Sequence, residues 1–159
     1  MSFQKAVQPY QAPAVAGDFA AHNPNASMLA GEGALVSGTD GVTVGVFAWA
    51  DAEGKVSNKK TAGARIGFVH REQQASITAY LAEHGNQILP GQIITLAVAG
   101  DFWAHFPASA EIGQNVFAKD TDGTLKASAA ATETGHTLTR FKVASKAAAG
   151  ELAKITTWE

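Results

Sequence analysis

Cysteine is absent from the chain, which excludes disulfides and thiolate metal sites and removes any need for an oxidising compartment. Charge is also scarce. Only 16% of residues are charged and the net charge is −2. The densest basic feature is the pair Lys59-Lys60, so the basic stripe that a nucleic-acid groove requires is missing and no nucleic-acid partner is expected. No apolar run approaches the roughly 18–20 residues of a membrane helix, so no membrane partner is expected either. Gln4, Lys5, Gln8 and Gln11 interrupt the N-terminal stretch, which leaves no apolar core for a signal peptide. Without such a signal, the sequon Asn25-Ala26-Ser27 is read as chance.

What the chain does have is apolar content, 46% hydrophobic residues, together with 16 glycines among 159 residues. That length supports one domain, or one domain with an arm, and a substantial core. The apolar fraction and small net charge argue against disorder over most of it.

The least expected feature is a repeat. Ala14 to His22 reads AVAGDFAAH and Ala97 to His105 reads AVAGDFWAH, differing only at Ala20 against Trp103. A duplicated domain, a paired metal site or one local structure used twice would each produce it. The flanks do not extend the similarity, since Pro13 and Asn23-Pro24 bracket one copy and Leu96 and Phe106-Pro107 the other. Duplication is therefore set aside, and a single offset also lacks the several copies of a repeat architecture. A metal site would draw on Asp18, His22, Asp101 and His105. In a strand, however, positions i and i+4 lie about 13 Å apart, too far to share one ion. The favoured reading is a Gly-Asp-Phe turn formed twice, with Asp accepting backbone hydrogen bonds and Phe buried, in two different environments.

Residues 1–30 read as an extended arm. Pro9, Pro13 and Pro24 oppose helix, and Phe3, Tyr10 and Phe19 are spaced along it as aromatic anchors. Residues 31–159 then show short apolar runs between glycine turns. Val42 to Ala50 is apolar on both faces and is predicted to be a strand covered on both sides. Asp51-Ala52-Glu53-Gly54 is a turn signal with Lys55 to Ser57 returning beside it, and Ala64 to His70 alternates. Residues 73–83 fit either helix or strand, and β-propensity favours strand. Ile93 to Phe106 is a long β run with a bend or bulge expected at Gly100. Asp120-Thr121-Asp122-Gly123 joins Val116–Lys119 and Thr124–Ala127 as a hairpin. Thr137 to Ser145 and Leu152 to Trp158 complete some nine or ten strands. The fold class is all-β, a single compact β-sandwich or β-barrel, jelly-roll-like, with an extended N-terminal arm.

Catalytic patterns are missing. There is no GxSxG, HExxH, P-loop or GxGxxG. Nothing supports Ser37, Ser57 or Ser76 as a nucleophile. Asp120 to Gly123 resembles the start of a calcium loop, but the twelfth position is Ala131, where a Glu is required. His70-Arg71-Glu72 places three ionisable groups on alternate faces, which suits a surface or interface role better than a proton relay. No cofactor is expected.

GDFAAHNPNAS, VTVGVFAWAD, GFVHREQQASITAYL and ILPGQIITLAVAGDFWAHF, followed by IGQNVFAKDTDGTLKAS and GELAKITTW, together resemble the structural cement (capsid decoration) proteins of tailed bacteriophages. The likeness runs from about Gly17 onward and is most specific at Phe68 to Leu81 and Gly100 to Trp103, while Thr132 to Arg140 has no counterpart. It implies a non-enzymatic β-protein on the outside of an icosahedral head, assembled in the bacterial cytoplasm. Its expected partners are the major capsid protein and itself, as homodimer or homotrimer. Phe3, Tyr10, Phe19, His70, Arg71 and Trp158 are the candidate capsid or subunit interface. The alternative is a β-sandwich carbohydrate-binding module on a virion surface, with Trp103 or Trp158 as the stacking residue. A small metal-dependent hydrolase built on Asp18, His22, Asp101 and His105 is the third reading.

Overall fold

The computed structural model describes residues 14–72 and 86–158. Phe3 and Tyr10, Ser76 and the ambiguous segment 73–83 lie outside the described residues. Those described contain no helix and thirteen short strands: β1 (Ala26–Ser27), β2 (Val36–Ser37), β3 (Val42–Thr43), β4 (Phe47–Ala50), β5 (Lys55–Ser57), β6 (Arg65–Phe68), β7 (Gln87–Ile88), β8 (Ala97–Ala99), β9 (Asp101–Phe106), β10 (Asn115–Lys119), β11 (Leu125–Ser128), β12 (His136–Val143) and β13 (Glu151–Thr156). They form a six-stranded sheet in the order β1-β8-β6-β4-β5-β2, a five-stranded sheet in the order β11-β10-β12-β13-β9, and a β3-β7 ribbon. The pairing is antiparallel except between β2 and β5. The all-β expectation therefore holds, with more and shorter strands than expected.

Alternation explains the layering. Phe47 and Trp49 of β4 face the five-stranded sheet and pack with Phe68, Phe102, Phe106, Phe141 and Ile155. Ala48 and Ala50 face the other way, into a second cluster with Val42, Val56, Ile88 and Leu96 under the β3-β7 ribbon. Every residue of β4 is buried, as its two apolar faces require. Each fully buried Phe contributes about 1.5–3 kcal/mol of transfer free energy, so Phe47, Phe68, Phe102 and Phe106 dominate the first cluster.

Two expected continuous strands are broken at glycine, and the pieces enter different sheets. Val42 to Ala50 divides at Gly45, which has φ of 81°. A Cβ there would lie 2.8 Å from Ala16 Cβ, because the N-terminal segment crosses at that point. β3 then joins the ribbon and β4 the six-stranded sheet. Ile93 to Phe106 turns at Gly100, φ 137°, where the chain leaves the six-stranded sheet as β8 and enters the five-stranded sheet as β9. The expected hairpins are present. β4 and β5 pair around Asp51, whose Oδ1 accepts from the amides of Glu53 and Lys55. β10 and β11 pair around Asp120 to Gly123.

The second of these turns also ties the sheets together. The Phe47 amide donates to the Gly123 carbonyl at 2.9 Å. Gly123 has φ of 72°, and an added Cβ would lie 1.9 Å from Phe47 O, a clash of backbone with backbone. Beside it, partial desolvation raises the Asp122 carboxyl. Hydrogen bonds from Lys119 and from the Thr124 hydroxyl and amide, with the Lys119 charge, outweigh that and hold its pKa at about 2.

Two outcomes are expected. Gly123→Ala should destabilise the fold by on the order of 3 kcal/mol or more, lowering Tm by roughly 10 °C in a thermal melt. Asp122 has a depressed folded-state pKa, so its contribution is present above about pH 4 and is lost as pH falls toward 2. The side chain is 45% exposed, so screening limits the effect to about 0.5–1 kcal/mol. Urea unfolding of the native protein and Asp122→Asn at pH 5 and pH 2 should show the gap between them closing at the lower pH.

Candidate functional site

The two copies of the nonapeptide pair with each other. Phe19 and Phe102, equivalent positions in the repeat, form an antiparallel bridge. The Ala20 amide donates to the Asp101 carbonyl at 2.9 Å, and the Trp103 amide donates to the Asp18 carbonyl at 2.8 Å. These bonds are related by a local two-fold relationship, each running from the residue after one Phe to the residue before the other. The Gly17 amide adds a bond to the Trp103 carbonyl at 2.7 Å, while the Gly100 amide goes instead to the Thr157 hydroxyl. Gly17 and Gly100 both have positive φ, but one lies in a turn and the other between strands. The copies are partners in one pairing, yet their surroundings differ as expected; the expectation of one turn formed twice is corrected, because only Gly17 lies in a turn.

This pairing runs the N-terminal segment along β9 and β8 from Trp103 back to Leu96. Residues 17–20 lie on the open edge of the five-stranded sheet, β1 pairs with β8 at the edge of the six-stranded sheet, and the Met28 amide donates to Leu96 O. One segment thus closes both sheet edges, which would otherwise present unpaired backbone groups. Between the two contacts, the loop 21–25 steps outward over Gly100. Asn23 Nδ2 donates to Asp101 Oδ2, and Asn25 Cβ lies 3.2 Å from where a Gly100 Cβ would be. Asn23 was not anticipated. Its only signal in the sequence is its place four residues after the repeated Phe.

The side chains of the pair form an aromatic column. Phe102 is fully buried, 5.1 Å from Phe68 and 6.1 Å from Phe141 between ring centroids. Phe19 stacks on Phe102 at 5.1 Å and on His70 at 5.3 Å, yet remains 46% exposed. The expectation that both phenylalanines are buried is corrected for Phe19. Trp103 is only partly buried, with Lys154 Nζ 5.2 Å over its ring, so it is not the large buried ring expected of the second copy.

The other candidates separate. His70 is buried under Phe19, with Nε2 2.8 Å from Glu72 Oε1 and Nδ1 lacking a partner, so it is not a surface residue. It sits on the same side as Glu72 because they are two apart in an extended segment. Arg71 points outward, with Nε 4.0 Å from Asp18 Oδ1 and Nη1 2.9 Å from Asn86 Oδ1. Its amide donates to Gly17 O, tying this segment to the repeat. Trp158 is 51% exposed and lines a cleft of about 280 Å³ with Ala20, Ala21, Asn23 and Lys154. Phe19, Arg71 and Trp158 are thus held on or beside the paired repeat.

Among the described residues, no catalytic geometry gathers around these groups. Asp101 is buried against Asn23, Asp18 accepts from the Val15 amide, and His22 and His105 are exposed. Among the described residues, no three potential metal ligands lie together. Ser37 is buried with Oγ unpartnered, and Ser57 Oγ accepts from the Lys59 amide. The carboxylates of the Asp120 turn are engaged by protein donors: Thr137 and Lys60 on Asp120, and Lys119 and Thr124 on Asp122.

The family described as XM1 gp53 minor capsid protein matches residues 3–157. The chain belongs to that family. It is a phage capsid-associated structural protein of the virion. Among solved structures, a chain of the capsid of Myoviridae phage XM1 shares the fold, with a TM-score of 0.66 and 18% identity over 99% of this chain and 98% of that one. The head fiber gp8.5 N base of bacteriophage phi29 gives a TM-score of 0.42 and 12% identity, covering 84% of this chain and 93% of that one. No curated protein matches.

The repeat makes a sharp prediction about this minor capsid family member. Phe102→Ala should cost about 3–5 kcal/mol, because it empties the core end of the column. Phe19→Ala, at its half-exposed end, should cost about 1 kcal/mol. Equal losses in parallel denaturant titrations would contradict the asymmetry.

Proposed function

We propose that this protein decorates the outer surface of a phage head and bridges neighbouring major capsid protein subunits, stabilising the shell without catalysis. Membership of a minor capsid family supports the capsid role. The observation that carries the docking surface is Phe19, which is half-exposed yet fixed in place by Phe102, His70 and the paired repeat. A rigid, partly exposed aromatic loses little conformational entropy on binding, which suits a contact residue. Val15 and Trp158, 47% and 51% exposed, extend the apolar area along the same segment and beside it, and Arg71 adds a charge. Phe3 and Tyr10 belong to the same proposed interface. A homodimer or homotrimer would present several such surfaces at once, so that modest single contacts sum on a lattice.

A second reading, saccharide binding, has one observation in its favour. Trp158 is half-exposed at a cleft that also holds Asn23, Lys154 and Asp101, whose Oδ1 is buried without a donor. A glycan array on the native protein and Trp158→Ala separates it from the first reading.

Heads lacking this protein should take up the native chain in co-sedimentation, and reconstruction should show it on the exterior. Phe19→Ser together with Trp158→Ala should weaken uptake by about tenfold or more. Deleting residues 1–13 should weaken it independently. Uptake unchanged by all of these would remove the proposed interface.

A further inference from the structure

A second surface lies away from the repeat, where the two sheets part. β13 pairs only with Lys142 and Val143 of β12. On that side, the rest of β12, from His136 to Phe141, has no strand partner among the described residues. The gap opens a cleft of about 420 Å³ between β12 and the β1-β8-β6 edge of the other sheet. Its floor is apolar and buried, with Phe47 and Phe141, and its walls carry Met28, Ile66 and Val98.

Two guanidinium groups stand at this cleft, Arg65 and Arg140, and among the described residues no Asp or Glu lines it. Both side chains are exposed. Arg65 Nη1 donates to the Leu29 carbonyl at 3.1 Å. Neither Arg65 nor Arg140 has a carboxylate within ion-pair distance among the described residues, whereas five of the lysines and Arg71 do. On a chain of net charge −2, this is a local positive site over an apolar floor. Leu29, 85% exposed, adds an apolar side chain to the lining.

We infer that this cleft docks an extended protein segment that carries one aliphatic side chain flanked by acidic residues. Each part of the site selects one part of that partner. The unpaired stretch of β12 favours an extended backbone. The apolar floor takes the aliphatic group, and the unneutralised guanidiniums take carboxylates, which a planar fork can bind bidentately. A free aliphatic carboxylate would satisfy the floor and one arginine, but would leave the β12 edge unused. This contact is separate from the Phe19 surface, so one protein would hold two neighbours by different chemistry.

The test uses the full-length protein, labelled with ¹⁵N, titrated with acetyl-Glu-Asp-Leu-Asp-Glu-amide, its Lys-for-acid counterpart, and decanoate. Shifts are expected at Met28, Ile66, Val98 and Arg140 with the acidic peptide, reduced by salt as rim charges are screened. Arg65→Gln/Arg140→Gln should weaken binding by about tenfold while leaving the remaining spectrum in place. Absence of shifts at these residues, equal binding of the lysine peptide, or decanoate matching the acidic peptide would overturn the inference. Head co-sedimentation of the same double variant separates the claims. If native protein fails to bind heads, the decoration reading fails while the peptide result stands. If native protein binds heads and only the peptide result is negative, the cleft fails alone.

Discussion

The antiparallel pairing of Gly17–Ala20 with Asp101–Trp103 is the constraint on which the rest of the structure depends. At Gly100 the chain passes from one sheet to the other, and such a crossing exposes the edges of both. The N-terminal segment closes them by following the same path in reverse, from Trp103 back to Leu96. Because the two sequences are nearly identical, their antiparallel pairing is self-complementary about Phe19 and Phe102. Packing then breaks the symmetry, because one Phe faces the core and the other faces solvent.

Much of the remaining architecture follows from that crossing. Phe102 is the hinge of the aromatic column and touches Phe19, Phe68, His70 and Phe141. Trp49, Phe47 and Phe68 fill the space between the sheets, while the small residues Ala48 and Ala50 let the ribbon approach the other face. β4 is consequently buried on both sides, which is why it reads as a continuous apolar run.

The surface this produces suits assembly. The features proposed for contact are an aromatic anchor braced from beneath, a half-exposed tryptophan and a cleft with unneutralised arginines. None of them assembles a nucleophile with a base, and the buried polar groups Ser37, His70 and Asp101 serve packing and clamping positions. On the proposed function, several modest contacts of unlike chemistry multiplied over a capsid lattice would give both adhesion and selectivity.

The sequence by itself determined the local structure. Apolar residues at every position specified β4 as buried on both faces, the turn signals Asp51–Gly54 and Asp120–Gly123 specified two hairpins, and short apolar runs between glycine turns specified an all-β fold. It also showed the repeat, whose physical meaning lay in long-range pairing that periodicity does not encode. Only tertiary structure decided that Gly45 and Gly100 break strands between sheets, since the space a Cβ would take is filled by Ala16 at Gly45 and by the buried Phe102 ring together with Asn25 at Gly100. It likewise decided that His70 is buried, because Phe19 lies over it, and that Arg65 and Arg140 share a cleft, because β13 ends before it can cover β12. Side-chain alternation is a property of one segment, whereas exposure depends on what other segments cover.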